Sequence, residues 1–390
     1  MARGQIVAFA ALLIASLFGA TCATAASPKW CDSLRHKVSV EVRPAYNMVS
    51  HHIMRPEGKP LDNTLSLHAR YGFSFSEDSR LGKLFPTSYQ GIGIAAYTYW
   101  NHNLIGTPIA IYLYQGAQIG NLAPDLSIGY EWNLGISCGW HPNKAMSSHN
   151  NVLINVAIPF AWRIAPHWEL TLTPDYTHFS NGDTTFSNAG SNMFGVRLGA
   201  TYLFSDEHVH ASARRYISPS NTLSDKSFAK RMTYDIVAYG GWRADRFMNG
   251  SMFYVINEAL PLGGINFQPT YHLNDYFALG TSLDIQLDSS LNLYDASRDE
   301  QGNTISYSRP SLWQQTKAGI SLRGEISAPI FTVGVGFGVN MLNTGYDASL
   351  LYTTFSLKAH ITRRLFLYIG YRFNSTQYTH NLMYGIGIRI

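Results

Sequence analysis

The chain of 390 residues carries 29 Lys and Arg against 25 Asp and Glu, a formal net charge of +4, too small an excess to draw nucleic acid but compatible with an anionic lipid headgroup. Hydrophobic residues make up 46% and aromatics 13%, yet mean hydropathy is only -0.08. Beyond the first residues no apolar run is long enough for a helical span, which excludes a helical membrane bundle. With 14% charged residues and 33 Gly, the composition fits a sheet protein whose apolar and polar side chains are interleaved.

At the start of the chain, Arg3, the apolar stretch Ile6–Phe18 and the small residues Ala23-Thr24-Ala25 read as a secretory signal over residues 1–25, with cleavage before Ala26. The protein is therefore expected to be exported. Cys22 leaves with the signal; Cys31 and Cys138 remain, too distant and too few for a disulfide framework, and both are expected to be unpaired.

Strands with one lipid-facing side show apolar residues at every second position. About eight such segments follow, near 38–46, 64–74, 90–100, 107–119, 126–140, 152–164, 168–180 and 192–204. In 192–204, Phe194, Val196, Leu198, Ala200, Tyr202 and Phe204 alternate with Gly195, Arg197, Gly199 and Thr201. Polar Ser205–Arg231 interrupts the pattern, and 206–231 is read as a linker. About eight more segments follow over 232–390: Phe331, Val333, Val335 and Phe337 alternate with Thr332, Gly334 and Gly336, and Leu382, Tyr384, Ile386 and Ile388 with Met383, Gly385 and Gly387.

These runs exceed the usual length of a soluble strand and approach what a tilted strand needs to cross a bilayer. Small and polar residues on one side would face a lumen, and apolar ones lipid. The fold class expected is all-β, an antiparallel transmembrane β-barrel. Residues 36–205 form one unit; 232–390 form either a second barrel or the completion of one enlarged barrel, since closure works for either count.

Loop lengths orient the first unit. Ala165-Pro166-His167 is a tight connection, as periplasmic turns are, whereas Asn181–Ser191 is longer and polar. His178 and Ser180 thus lie at the outer end of the 168–180 strand, level with the outer leaflet. Histidine is the side chain best suited to take a proton from serine near neutral pH. At i and i+2 the two point to one face with Cα atoms about 6.5 to 7 Å apart, so they meet only if the strand end is irregular, which Gly182 permits. Parity puts Asn192 of the next strand on the same face, where its amide oxygen could orient the imidazole. Asp175 has the parity of the lumen, and Asp183 lies in the loop as another candidate orienter. Asn181 and Asn188 suit the turn or an oxyanion role. Two polar side chains on a lipid face cost free energy unless something uses them. No metal or cofactor is implied, because nothing clusters with ligand spacing.

From Tyr176 to Phe204 the sequence resembles the lipid A 3-O-deacylase (PagL) family of outer-membrane enzymes: His178, Ser180 and Asn181 match its His-x-Ser-Asn core, and Asn188 and Gly190 its downstream Asn-x-Gly. The resemblance implies an eight-stranded barrel with the site on its outer wall, His178 as base and Ser180 as nucleophile, and lipid A of lipopolysaccharide in the outer membrane as substrate and partner. Where the best-known members carry a glutamate that orients the histidine, this chain has Asn192. An amide can orient a neutral imidazole but stabilises imidazolium less than a carboxylate does. Backbone amides of Asn181, Gly182 and Asp183, with Asn188, would hold the oxyanion. The resemblance does not extend past residue 205, and 232–390 lacks the His-x-Ser motif. Two other functions fit the same strand pattern, a non-catalytic channel or porin-like barrel and an outer-membrane phospholipase. Oligomeric state is not legible in the sequence.

Overall fold

The computed structural model describes residues 34–48, 61–143, 146–186, 189–204, 231–249, 252–298, 304–345, 347–375 and 380–390. The expected signal segment 1–25, Cys31, nearly all of the linker 206–231 and Asn188 lie outside the described residues. The chain divides into two compact units, one comprising residues through Asn181 and Ala189–Pro219, the other Gly182–Asn188 and Ser220–Ile390.

The first unit contains β1 (Leu34–Asn47), β2 (Asn63–Phe75), β3 (Ser88–Thr98), β4 (Gly106–Ala123), β5 (Leu126–Trp140), β6 (Asn150–Ala157), β7 (Phe160–Ala165), β8 (Trp168–Ser180) and β9 (Ser191–Leu203). The sheet runs β4-β3-β2-β1-β9-β8-β6-β5, all antiparallel where registers are defined, and β4 pairs with β5 to close the ring. The single strand expected over 152–164 is two, because Pro159 has no N–H for the ladder. At the break Ile158 N–H donates to Pro174 O at 3.0 Å, and Pro159 O accepts Gly129 N–H at 2.9 Å. Since β6 and β7 each pair with both β5 and β8, they form one interrupted stave of an eight-stave barrel.

Alternation sorts the side chains as a membrane barrel requires. Leu170, Leu172, Val196 and Leu198 are exposed on the outer face of β8 and β9, together with Trp162 and Ile164 of β7. Inside, the mid-lumen holds three arginines against three carboxylates. Arg70 reaches Glu41 and Glu131 at 2.7 Å each, and Arg197 reaches Glu131 at 2.8 Å and Asp175 at 3.1 Å. Arg43 Nε donates to Asp175 at 2.8 Å. Opposite charges in equal number let these groups be buried together, whereas each alone would carry a large desolvation cost.

Toward the end that carries the longer connections the lumen becomes apolar. Leu61, Tyr97, Tyr99, Ile105, Trp140, Met146, Phe179 and Met193 form one buried cluster. Phe179 packs edge-on against Tyr97 and Trp140, each with ring centroids 5.1 Å apart. Such pairs add about 0.5–1.5 kcal/mol beyond the area they bury.

The second unit closes on itself, so the strands make two rings and not one enlarged barrel. Its staves are β10 (Met232–Asn249), β11 (Met252–His272), β12 (Phe277–Asp288), β15 (Thr316–Ser327), β16 (Phe331–Leu342), β17 (Leu351–His360), β18 (Leu365–Asn374) and β19 (Asn381–Arg389). A small hairpin of β13 (Tyr294–Arg298) and β14 (Thr304–Ser308) stands in the β12–β15 connection. The lumen is again filled by paired charge: Asp235 takes Lys358 Nζ and Arg389 Nε at 2.7 Å each, and Asp284 takes Arg323 at 3.0 Å.

Candidate active site

His178 and Ser180 lie at the C-terminal end of strand β8, and Asn192 at the second position of β9. The register sets His178 directly opposite Asn192 and Phe179 opposite Ser191. Odd-numbered residues anchor both strand ends in the lumen. Phe179 and Met193 are fully buried in the apolar cluster, and Ser191 Oγ lies 3.2 Å from Tyr99 Oη and donates to Asn47 Oδ1 at 3.3 Å. Even-numbered residues are therefore held on the outer wall by neighbours that cannot shift without disturbing the plug.

On that wall His178 Nδ1 lies 2.7 Å from Asn192 Oδ1. An amide oxygen only accepts, so Nδ1 carries the proton and Nε2 is left with a lone pair, the form a general base needs. Nε2 makes no hydrogen bond to another described residue, and none joins His178 to Ser180. Such contacts commonly tighten only when substrate binds.

Tyr176, two residues before the histidine and on the same face, donates its hydroxyl to the same Asn192 oxygen at 2.6 Å. Its ring packs on Phe194 with centroids 5.1 Å apart. Sequence parity could place Tyr176 on this wall, but the diagonal bond to Asn192 depends on strand register, which parity leaves open.

The loop candidates fall in different places. Asn181 is buried, and its amide donates to Ser147 Oγ at 3.3 Å, which ties down the strand end. Gly182 and Asp183 have φ of +66° and +64°. Both group with the second unit, where the Asp183 carboxylate accepts Tyr371 Oη at 3.4 Å. Asn188 lies outside the described residues. Asp175 faces the lumen and is committed to Arg43 and Arg197. Cys138 is a free, exposed thiol.

Gly190 is the site residue whose need the geometry explains best. Its φ is +72°, and a Cβ there would sit 2.8 Å from the Phe179 carbonyl oxygen and 3.0 Å from His178 Cε1. A Gly190→Ala protein is expected to lose about tenfold in turnover, because a side chain at positive φ strains the turn, crowds the Phe179 carbonyl and shifts the imidazole by a fraction of an ångström against Asn192. Esterase assay of the folded variant checks this; unchanged turnover would show that the ring has room to move.

Comparison with known proteins gives two family matches. The family model described as lipid A 3-O-deacylase (PagL) matches residues 63–201, and that described as acyloxyacyl hydrolase, C-terminal domain, matches residues 232–390. No curated protein matches the chain. Among solved structures, the Acinetobacter baumannii outer membrane protein Omp33 is 7% identical, with 91% of this chain and 98% of that one covered and a TM-score of 0.17. The siderophore receptor PirA from Pseudomonas aeruginosa is 9% identical, with 91% and 80% covered and a TM-score of 0.21. At these scores neither likeness bears on the architecture described above.

Proposed function

Because the chain belongs to the lipid A 3-O-deacylase (PagL) family, we propose that it is an outer-membrane ester hydrolase that removes the 3-O-linked acyl chain of lipid A with Ser180 as nucleophile and His178 as base. The observation that carries this mechanism is the His178 Nδ1 to Asn192 Oδ1 bond of 2.7 Å on the lipid-facing wall, which leaves Nε2 free to accept a proton. The chemistry follows from that tautomer.

Ser180 Oγ attacks the ester carbonyl carbon while His178 Nε2 takes the hydroxyl proton. The tetrahedral intermediate collapses to an acyl-serine, and the same proton passes to the departing sugar oxygen at the 3-position. Water, deprotonated by Nε2, then attacks the acyl-serine carbonyl; the C–Oγ bond breaks, the imidazolium returns its proton to Ser180 Oγ, and the 3-hydroxyacyl acid is freed. Backbone N–H groups that follow Ser180 are the candidate donors to the oxyanion. Asn192 supports a neutral imidazole fully and an imidazolium only partly, so this arrangement provides less charge stabilisation than a carboxylate would. The acyl chains of the substrate lie along Leu170, Leu172, Val196 and Leu198, which are exposed on the same face as the site.

A channel is the weaker reading. In the first unit the paired charges of the mid-lumen and the aromatic cluster beyond them fill the space a solute would need. The test is mass spectrometry of lipids after purified protein is incubated with membranes containing both lipid A and phospholipid. Lipid A lighter by one 3-hydroxyacyl group is the expected product. Lysophospholipid with intact lipid A would replace this substrate with phospholipid, and no product from either would sink the hydrolase reading.

A further inference from the structure

Asn192 Oδ1 accepts two hydrogen bonds, from His178 Nδ1 at 2.7 Å and from Tyr176 Oη at 2.6 Å. An amide has two faces. Turned by half a revolution, it would present NH₂ to the imidazole, the ring proton would move to Nε2, and the base would be lost. A carboxylate has no such wrong face, so an asparagine in this place needs something to fix its orientation. Tyr176 has its hydroxyl proton to place, and Asn192 is its hydrogen-bond partner. With the amide reversed, that proton would be stranded on an apolar wall, beside Phe194.

Resting on the Ser180–His178 mechanism above, we propose that Tyr176 is a positioning residue whose hydroxyl holds the Asn192 amide oxygen toward His178 and thereby keeps the imidazole in its Nδ1–H tautomer. The stretch Tyr176-Thr177-His178 thus supplies both the base and, through Asn192 on the neighbouring strand, the group that sets its tautomer. Phe194 holds the phenol from the side, which fixes where the hydroxyl points.

The direct test is ¹⁵N NMR of ring-labelled histidine in micelles, at a pH where the imidazole is neutral, with a His178→Gln protein to assign the signal. The intact protein is expected to show Nδ1 protonated and Nε2 bare. Tyr176→Phe should shift the population toward Nε2–H and lower kcat about tenfold to a hundredfold with KM nearly unchanged. Asn192→Asp placed in the Tyr176→Phe background should restore kcat, since both carboxylate oxygens accept. A merely structural tyrosine would lower kcat with no tautomer change and no rescue by aspartate, and either of those results overturns the proposal. The tautomer is read without turnover, so it decides the role of Tyr176 even if Ser180→Ala protein still releases acyl chains, a result that would instead remove the Ser180 mechanism.

Discussion

Replacing Ser180 with alanine is expected to lower acyl release by about four to six orders of magnitude, the scale seen when the nucleophile of a serine hydrolase is removed. That corresponds to about 5 to 8 kcal/mol of lost transition-state stabilisation. The hydroxyl makes no hydrogen bond to another described residue, so its removal leaves the strand pairing with Val152 and the packing of Phe179 untouched. Resistance to denaturant should therefore stay at the parent value while turnover disappears. Mass spectrometry of lipid A together with a urea midpoint measures both. Retained release would require another nucleophile, and parallel loss of stability would mean that Ser180 supports the fold.

The second large effect is expected far from the site. Asp175→Asn removes one of the three carboxylates that face Arg43, Arg70 and Arg197 in the first lumen. The side chain of Asp175 is wholly buried, accepts Arg43 Nε at 2.8 and 3.0 Å, and takes Arg197 Nε at 3.1 Å. An amide there leaves an uncompensated positive charge and turns NH₂ toward a guanidinium. Removing one partner of a buried pair costs about 3–5 kcal/mol, and that is the loss expected in urea unfolding of the folded barrel. A midpoint equal to that of the parent would show that lumen water neutralises the surplus charge.

Much of the architecture was legible because a barrel in lipid writes its alternation over long stretches. Phe194, Val196 and Leu198 against Gly195 and Arg197 assign the two faces of β9 without any structure. The aromatic plug was hidden by the same rule. Phe179, Tyr97 and Tyr99 stand at inward positions where polar or small residues are expected, and only closure of the ring brings them together. The break at Pro159 was visible as a residue type but not as an event, since the apolar alternation continues across it. The hairpin of β13 and β14 was missed because five-residue strands carry too little period to recognise. At the site, parity could bring His178 and Asn192 to one face. It could not set them opposite each other, and without that register neither Tyr176 nor the close approach of Gly190 to the imidazole can be read.

The aromatic cluster at the end of the first lumen has a kinetic consequence. With the interior filled by Tyr97, Tyr99, Trp140 and Phe179 and His178 on the outer wall, the proposed lipid substrate arrives by sideways travel within the bilayer. The concentration that governs the rate is then a mole fraction in a two-dimensional solvent. Adding inert lipid at a fixed total amount of substrate should slow the reaction in proportion to the surface dilution, whereas adding buffer should leave it unchanged.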